Sequence, residues 1–97
     1  MTDIVWSPRS VADLEEIRAY IATESPAWAD LTVRRLVAAV ERLRDYPDSG
    51  RMVPERQSPD IREVLSGSFR IVYRRNAGVV EIVTVFRGSR RFPNINL

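Results

Sequence analysis

Ninety-seven residues, 44% hydrophobic and 29% charged, suffice for one ordinary globular domain spanning 1–97 and leave no expectation of extended disorder. The chain has no cysteine and no histidine, which removes disulfides, thiolate metal ligands and the commonest general base; no metal or cofactor site is expected. All 15 basic residues are arginine, a side chain that clamps anions but is a poor proton shuttle.

No apolar run approaches the roughly 20 residues of a membrane helix. The opening MTDIVWSPRS lacks the apolar stretch of a signal peptide, so a cytoplasmic location is expected. Residues 1–48 carry six arginines against nine acids, a balance of −3, whereas 49–97 carry nine against four, a balance of +5. The electropositive second half suits an acidic partner or a nucleic acid.

In chain order, Asp3–Trp6 reads as a short extended segment ending at Ser7-Pro8. Serine followed by proline starts a helix: the hydroxyl caps and the proline ring presets the first turn. Val11, Leu14, Ile17 and Ile21 then share one face of a helix over 8–23. Ser25-Pro26 repeats the signal, opening a second helix to about Tyr46. Its apolar face is Ala29, Val33, Leu36, Val37, Val40 and Leu43. Pro47 stops it, and the short link between the two implies a helical hairpin.

Arg51–Asp60 reads as an irregular connection with a short extended piece at Arg51–Val53. The period then changes to two. Ile61–Leu65 is a strand, Ser66-Gly67-Ser68 a turn, and Phe69–Arg74 alternates Phe69, Ile71 and Tyr73 against Arg70, Val72 and Arg74. After Asn76-Ala77-Gly78, Val79–Phe86 is apolar on nearly both faces, as a central buried strand is. The expected fold is α+β, ordered β-α-α-β-β-β, with the helical hairpin on one face of a small antiparallel sheet. Trp6, Phe69 and Tyr73 read as core. Trp28 reads as an interface anchor or edge-of-core packing. Phe86 and Phe92 flank the basic tail, where aromatics among arginines stack on bases or pack locally.

On one strand, residues i and i+4 point the same way, roughly 13 Å apart, so Arg70 and Arg74 share a face. Arg62 and Arg87 are expected on that face, away from the helices, as well, and with Arg51, Arg90 and Arg91 these arginines form a candidate anion-binding surface for a target or a partner. The plainer reading is a solvated face whose arginines confer solubility. Replacing Arg70 and Arg74 together by alanine is expected to preserve folding while weakening function.

The runs IREVLSGSFRIVYRR and VVEIVTVFRGSRRF resemble the RelE/ParE superfamily of toxins from bacterial type II toxin–antitoxin systems. Members show an arginine-led strand, a Gly-Ser turn, an aromatic-Arg-aliphatic-aliphatic-Tyr-Arg strand, and a valine-rich strand ending in a basic segment. WSPRSVADLEEIRAYIATESPAWA is similar to that family's first helix and turn, and YPDSGRMVPE to its link after the second helix. The resemblance implies a cognate antitoxin that wraps and neutralises the toxin and itself contacts operator DNA. It also implies one of two activities. One branch cleaves mRNA in the ribosome; the other, ParE-like and tied to plasmid stabilisation, poisons DNA gyrase without hydrolytic chemistry.

RNA cleavage needs groups that exchange protons. The ribonuclease branch often uses lysines on the strand before the central arginine, and a tyrosine or histidine near the C-terminus. Here that strand offers Arg62 and Glu63, Arg70 matches the strand arginine, Arg87 stands where many members have histidine, and the tail has Phe92 but no tyrosine. For a ribonuclease the candidate catalytic groups are Arg70, Glu63, Glu81 and Arg87. The absences favour the ParE-like branch. A third alternative is an inactive toxin fold kept as a binding module.

Overall fold

The computed structural model describes residues 2–97. The elements are β1 (Asp3–Trp6), α1 (Pro8–Ala22), α2 (Pro26–Glu41) running into a 3-10 turn at Arg42–Arg44, β2 (Arg51–Met52), β3 (Ile61–Ser66), β4 (Phe69–Asn76) and β5 (Val79–Arg87). Both Ser-Pro starts act as read. The Ser7 hydroxyl accepts from Ser10 N at 3.0 Å and the Ser25 hydroxyl from Trp28 N at 3.1 Å, with proline opening each helix.

The strands form one sheet in the order β1-β5-β4-β3-β2. The sheet is mixed rather than antiparallel: β1 runs parallel to β5, from Asp3 opposite Val79 to Trp6 opposite Ile82. Tight turns force β3, β4 and β5 to alternate, with Gly67 and Gly78 at positive φ where the chain reverses. No such turn joins β1 to its neighbour. The chain leaves β1 through both helices, which frees it to lie parallel.

The helical hairpin covers one face, tied together by an Arg18–Asp30 ion pair. Leu36, Ala39, Val40 and Leu43 meet Phe69, Ile71, Tyr73, Val80, Ile82 and Val85 in a buried core, with Trp6, Leu14, Ile17 and Ile21 packed at its edge. Each fully buried aliphatic side chain there contributes about 1.5–3 kcal/mol. Val11, expected on this face, is exposed.

One irregularity sets the second half of β5. Val72 pairs with Thr84 and Tyr73 with Ile82, leaving Val83 as an extra residue. This bulge resets the alternation. Ile82 and Val85 therefore both enter the helix-side core, while Val83 and Phe86 join a second cluster on the opposite face.

That second cluster overturns the expected open arginine face. Val53, Ile61, Val72 and Phe86 are buried there, with Phe92 and Leu97 packed on them. A strand apolar on both faces needs a cover on both, and here the 53–60 connection and the C-terminal tail supply the second one. No helix among the described residues is long and apolar enough to cross a membrane.

Candidate functional site

The expected arginine surface is divided between two faces and one loop. Arg70 and Arg74 do share the face away from the helices. Arg51, entering on β2, reaches the same region by way of Glu63. The remaining arginines lie elsewhere.

Glu63 organises the first group. It is wholly buried on β3; its Oε1 accepts from Arg70 Nε at 2.6 Å and its Oε2 from Arg51 Nε at 2.7 Å. Glu55, on the connection after β2, takes the other end of Arg70: NH1 at 3.0 Å and NH2 at 2.8 Å. The Arg70 guanidinium also lies over the rings of Phe86 and Phe92, at 5.1 and 5.5 Å. Hydrogen bonding to Glu55 raises the pKa of Arg70, and the same bonds hold Glu55 below the usual carboxylate range. Arg70 is therefore an interior cation, its side chain only 11% exposed. The Arg70/Arg74 double alanine expected to leave folding intact would strand a buried carboxylate, so it cannot isolate function from stability.

Arg74 faces Glu81 across the β4–β5 ladder, 3.6 Å apart. Glu81 is thus four residues along the strand from the Arg70 position, about 13 Å away. Arg62 points to the opposite face and donates to Pro59 O and Gly50 O, at 3.0 and 2.9 Å. Arg87 also lies on the helix side, stacked between the rings of Phe69 and Tyr20 at 5.0 and 5.9 Å. Of the four candidate ribonuclease groups, the fold brings Glu63 and Arg70 together and separates them from Glu81 and Arg87. Among the described residues no cluster of acidic side chains is placed to hold a metal ion.

Arg87, Arg90 and Arg91 line a cleft of 520 Å³ between α1 and the tail, together with Arg9, Glu16 and Tyr20. These three arginines make no ion pair among the described residues, so the cleft, which also holds Asp13 and Glu16, is net positive. The cleft floor is braced by Asp13, whose carboxylate accepts from Thr84 Oγ1 at 2.5 Å and Val85 N at 3.0 Å. It thereby caps the edge of β5 beyond the end of β1. Next to the cleft, a groove of 370 Å³ runs between the helical hairpin and the β3–β4 turn, walled by Ile21, Trp28, Leu36, Phe69 and Arg35. Trp28 is 52% exposed and Tyr20 70%. Both are large aromatics at an open groove, the composition of an interface anchor.

Sequence reasoning missed Glu55, Asp13 and Tyr20. Glu55 sits in an irregular stretch with no period to place it. Asp13 and Tyr20 occupy the polar side of an amphipathic helix, where a solvated residue is the default reading.

Residues 4–92 match the family model for the ParE toxin of the type II toxin–antitoxin system parDE. The chain belongs to this family of type II toxins. It is 36% identical to Y4kP of Sinorhizobium fredii over 92 residues, covering 95% of this chain and 94% of that one. It is 35% identical to the toxin RelE2 of Caulobacter vibrioides over 91 residues, covering 93% and 99%. Its fold superposes on a structure of the chromosomal ParDE system from P. aeruginosa with a TM-score of 0.74, at 23% identity over 90% of this chain and 96% of that one. A toxin of this class has an antitoxin as its partner.

Proposed function

We propose that this toxin is a ParE-like inhibitor of DNA gyrase that acts by docking, not by hydrolysis, and that its antitoxin neutralises it by occupying the groove and the adjoining cleft. Operator DNA is contacted only through the antitoxin. The observation that carries the reading is the burial of Glu63. Both its oxygens are taken by guanidinium groups and no part of it is exposed, so a substrate hydroxyl has no route to it. Glu81 lies beside Arg74, about 13 Å along the strand from Arg70, and the chain has no lysine or histidine to replace either acid. The accessible cleft is mainly cationic, with Arg87, Arg90 and Arg91 beside exposed Tyr20, and the adjoining groove carries exposed Trp28. Such a surface binds and steers.

A supercoiling and cleavage assay with gyrase from the same host tests this. Lost supercoiling or stabilised double-strand breaks on adding the toxin are expected, and preincubation with antitoxin should prevent them. An active gyrase left untouched would overturn the proposal.

One observation favours the ribosome-dependent mRNA endoribonuclease as the second reading: Arg70 and Glu63 are in direct contact, an anion-binding group beside a carboxylate. That reading requires toxin-dependent cleavage of mRNA on programmed ribosomes, lost in Arg70→Lys. Growth unaffected by expression without antitoxin would instead support an inactive binding module.

A further inference from the structure

Every nitrogen of the Arg70 guanidinium is used, but its two partners are of different kinds. Glu63 belongs to the sheet and is wholly buried. Glu55 belongs to the 53–60 connection, its side chain is 42% exposed, and its carboxylate has no other side-chain partner among the described residues. The Glu55 contact is bidentate, with NH1 and NH2 each donating to one oxygen. This fork is what a guanidinium offers to any oxyanion of matching width, phosphate included.

Removing Glu55 would leave Arg70 and Arg51 sharing the single negative charge of Glu63, a local excess of one positive charge beside the faces of Phe86 and Phe92. That is a site short of an anion. The connection that fills it is itself constrained. Gln57, two residues on, has φ of 50°, a left-handed conformation that side-chain-bearing residues adopt at a cost. Neighbouring Arg56 donates to Ile95 O at 2.8 Å and lies over Phe92, so the connection and the tail are fastened together.

We infer that the NH1/NH2 fork of Arg70 is a phosphate-type oxyanion site held shut by Glu55, which occupies it as an internal stand-in. A tethered carboxylate competes at an effective concentration of order millimolar or higher. Dilute free phosphate therefore does not displace it, whereas a phosphate group presented by an already docked partner does. Glu55, 42% exposed, is the solvent-screened member of the pair and the one able to yield. Opening swings Glu55 and Arg56 outward and releases the tail at Ile95. The inference holds whichever target the toxin has, and its test uses neither gyrase nor ribosome.

The experiment is a titration of purified full-length toxin with inorganic phosphate, read at the Arg70 Nε–H resonance, for wild type and Glu55→Ala. Sodium acetate serves as a parallel arm. An unchanged amide spectrum outside 51–60 and 87–97 establishes that the variant is folded. In Glu55→Ala the Arg70 signal should shift saturably, with an apparent affinity at least tenfold tighter than in wild type and tighter for phosphate than for acetate. Equal responses in the two proteins would show that Glu55 holds nothing shut. No shift in the variant would show that no anion site lies behind it. Acetate binding as tightly as phosphate would overturn the assignment to a phosphate-type ligand.

Discussion

The Glu63 carboxylate and the Arg70 guanidinium meet at 2.6 Å with Glu63 wholly buried, so a charged contact lies on the same sheet face as the second apolar cluster. Removing one partner of a buried pair leaves an uncompensated charge. The expected cost for Glu63→Ala is about 3 kcal/mol, the low end for such a deletion because Glu55 still holds Arg70. In a domain of this size that lowers the thermal midpoint by about 12 °C or more. Urea unfolding of wild type and variant checks it. A loss within about 0.5 kcal/mol, the range of ordinary surface substitutions, would show that the pair is not structural.

A second buried polar contact fixes the turn after α2. Tyr73 donates to Pro47 O at 2.8 Å and accepts from Gly50 N at 3.0 Å. A Cβ at Gly50 would stand 2.6 Å from both the Tyr73 hydroxyl and Glu63 O, one of them backbone, so a methyl has nowhere to go. Gly50→Ala should cost about 1–3 kcal/mol through overpacking. Tyr73→Phe should cost a similar amount, about 1–3 kcal/mol, by leaving the Gly50 N–H and Pro47 carbonyl unpaired. The double variant should cost less than the sum, since phenylalanine removes the hydroxyl clash, although the contacts with Glu63 O and the ring edge remain. Strict additivity in a double-mutant cycle would contradict that geometry.

The elements were legible because their signals are local: two Ser-Pro starts, apolar residues at helical spacing, and strands bounded by Gly turns. The relations between elements were not. The parallel pairing of β1 with β5 depends on contacts more than seventy residues apart. The extra residue at Val83 leaves no mark on a run of β-branched side chains. The cover on the second face was half visible, since β5 is apolar on both sides and demands one. What supplies it, Phe92 and Leu97 from a polar tail and Val53 from an irregular connection, has no periodicity to read. For the same reason Arg70 and Arg74 looked like a solvated pair: strand alternation gives the face a side chain points to, not whether another segment has closed over it. The carboxylate that neutralises Arg70 from Glu55 was beyond reach for that reason too.

Burial also fixes the alkaline limit of stability. Desolvation raises the Tyr73 pKa above its usual value near 10. The folded state then keeps this proton to higher pH than the unfolded chain does. Stability from this group is fully present below about pH 10 and declines as pH rises from there through the folded-state pKa. Chemical unfolding at a series of alkaline pH values should show the decline in wild type and a flatter profile in Tyr73→Phe. Identical slopes would argue that the hydroxyl titrates as in solvent.

The groove makes a prediction about the antitoxin that is separable from folding. Trp28 is half exposed, rests against Arg35 at 5.5 Å and belongs to neither buried cluster, so Trp28→Ala should change stability by no more than about 0.5 kcal/mol. As an interface anchor it should weaken antitoxin binding by about 2 kcal/mol or more, near thirtyfold. Unchanged affinity in a calorimetric titration would move the antitoxin elsewhere on the toxin.

The arginine cleft should act on rate more than on residence. Arg90 and Arg91 are exposed and without carboxylate partners among the described residues, so their charge is felt at a distance, within a Debye length of about 8 Å at physiological salt. Replacing both by alanine should slow antitoxin association, flatten its dependence on salt and leave dissociation nearly unchanged, as loss of rim charge does. Wild-type association should slow as salt rises, because the attraction is screened. The same variant should retain the wild-type melting temperature, since neither side chain bridges two parts of the fold. Stopped-flow association at a series of salt concentrations separates the possibilities. A variant that associates at the wild-type rate but dissociates faster would mean that these arginines make desolvated contacts inside the complex. A wild-type rate indifferent to salt would mean that the positive second half of the chain plays no part in the encounter.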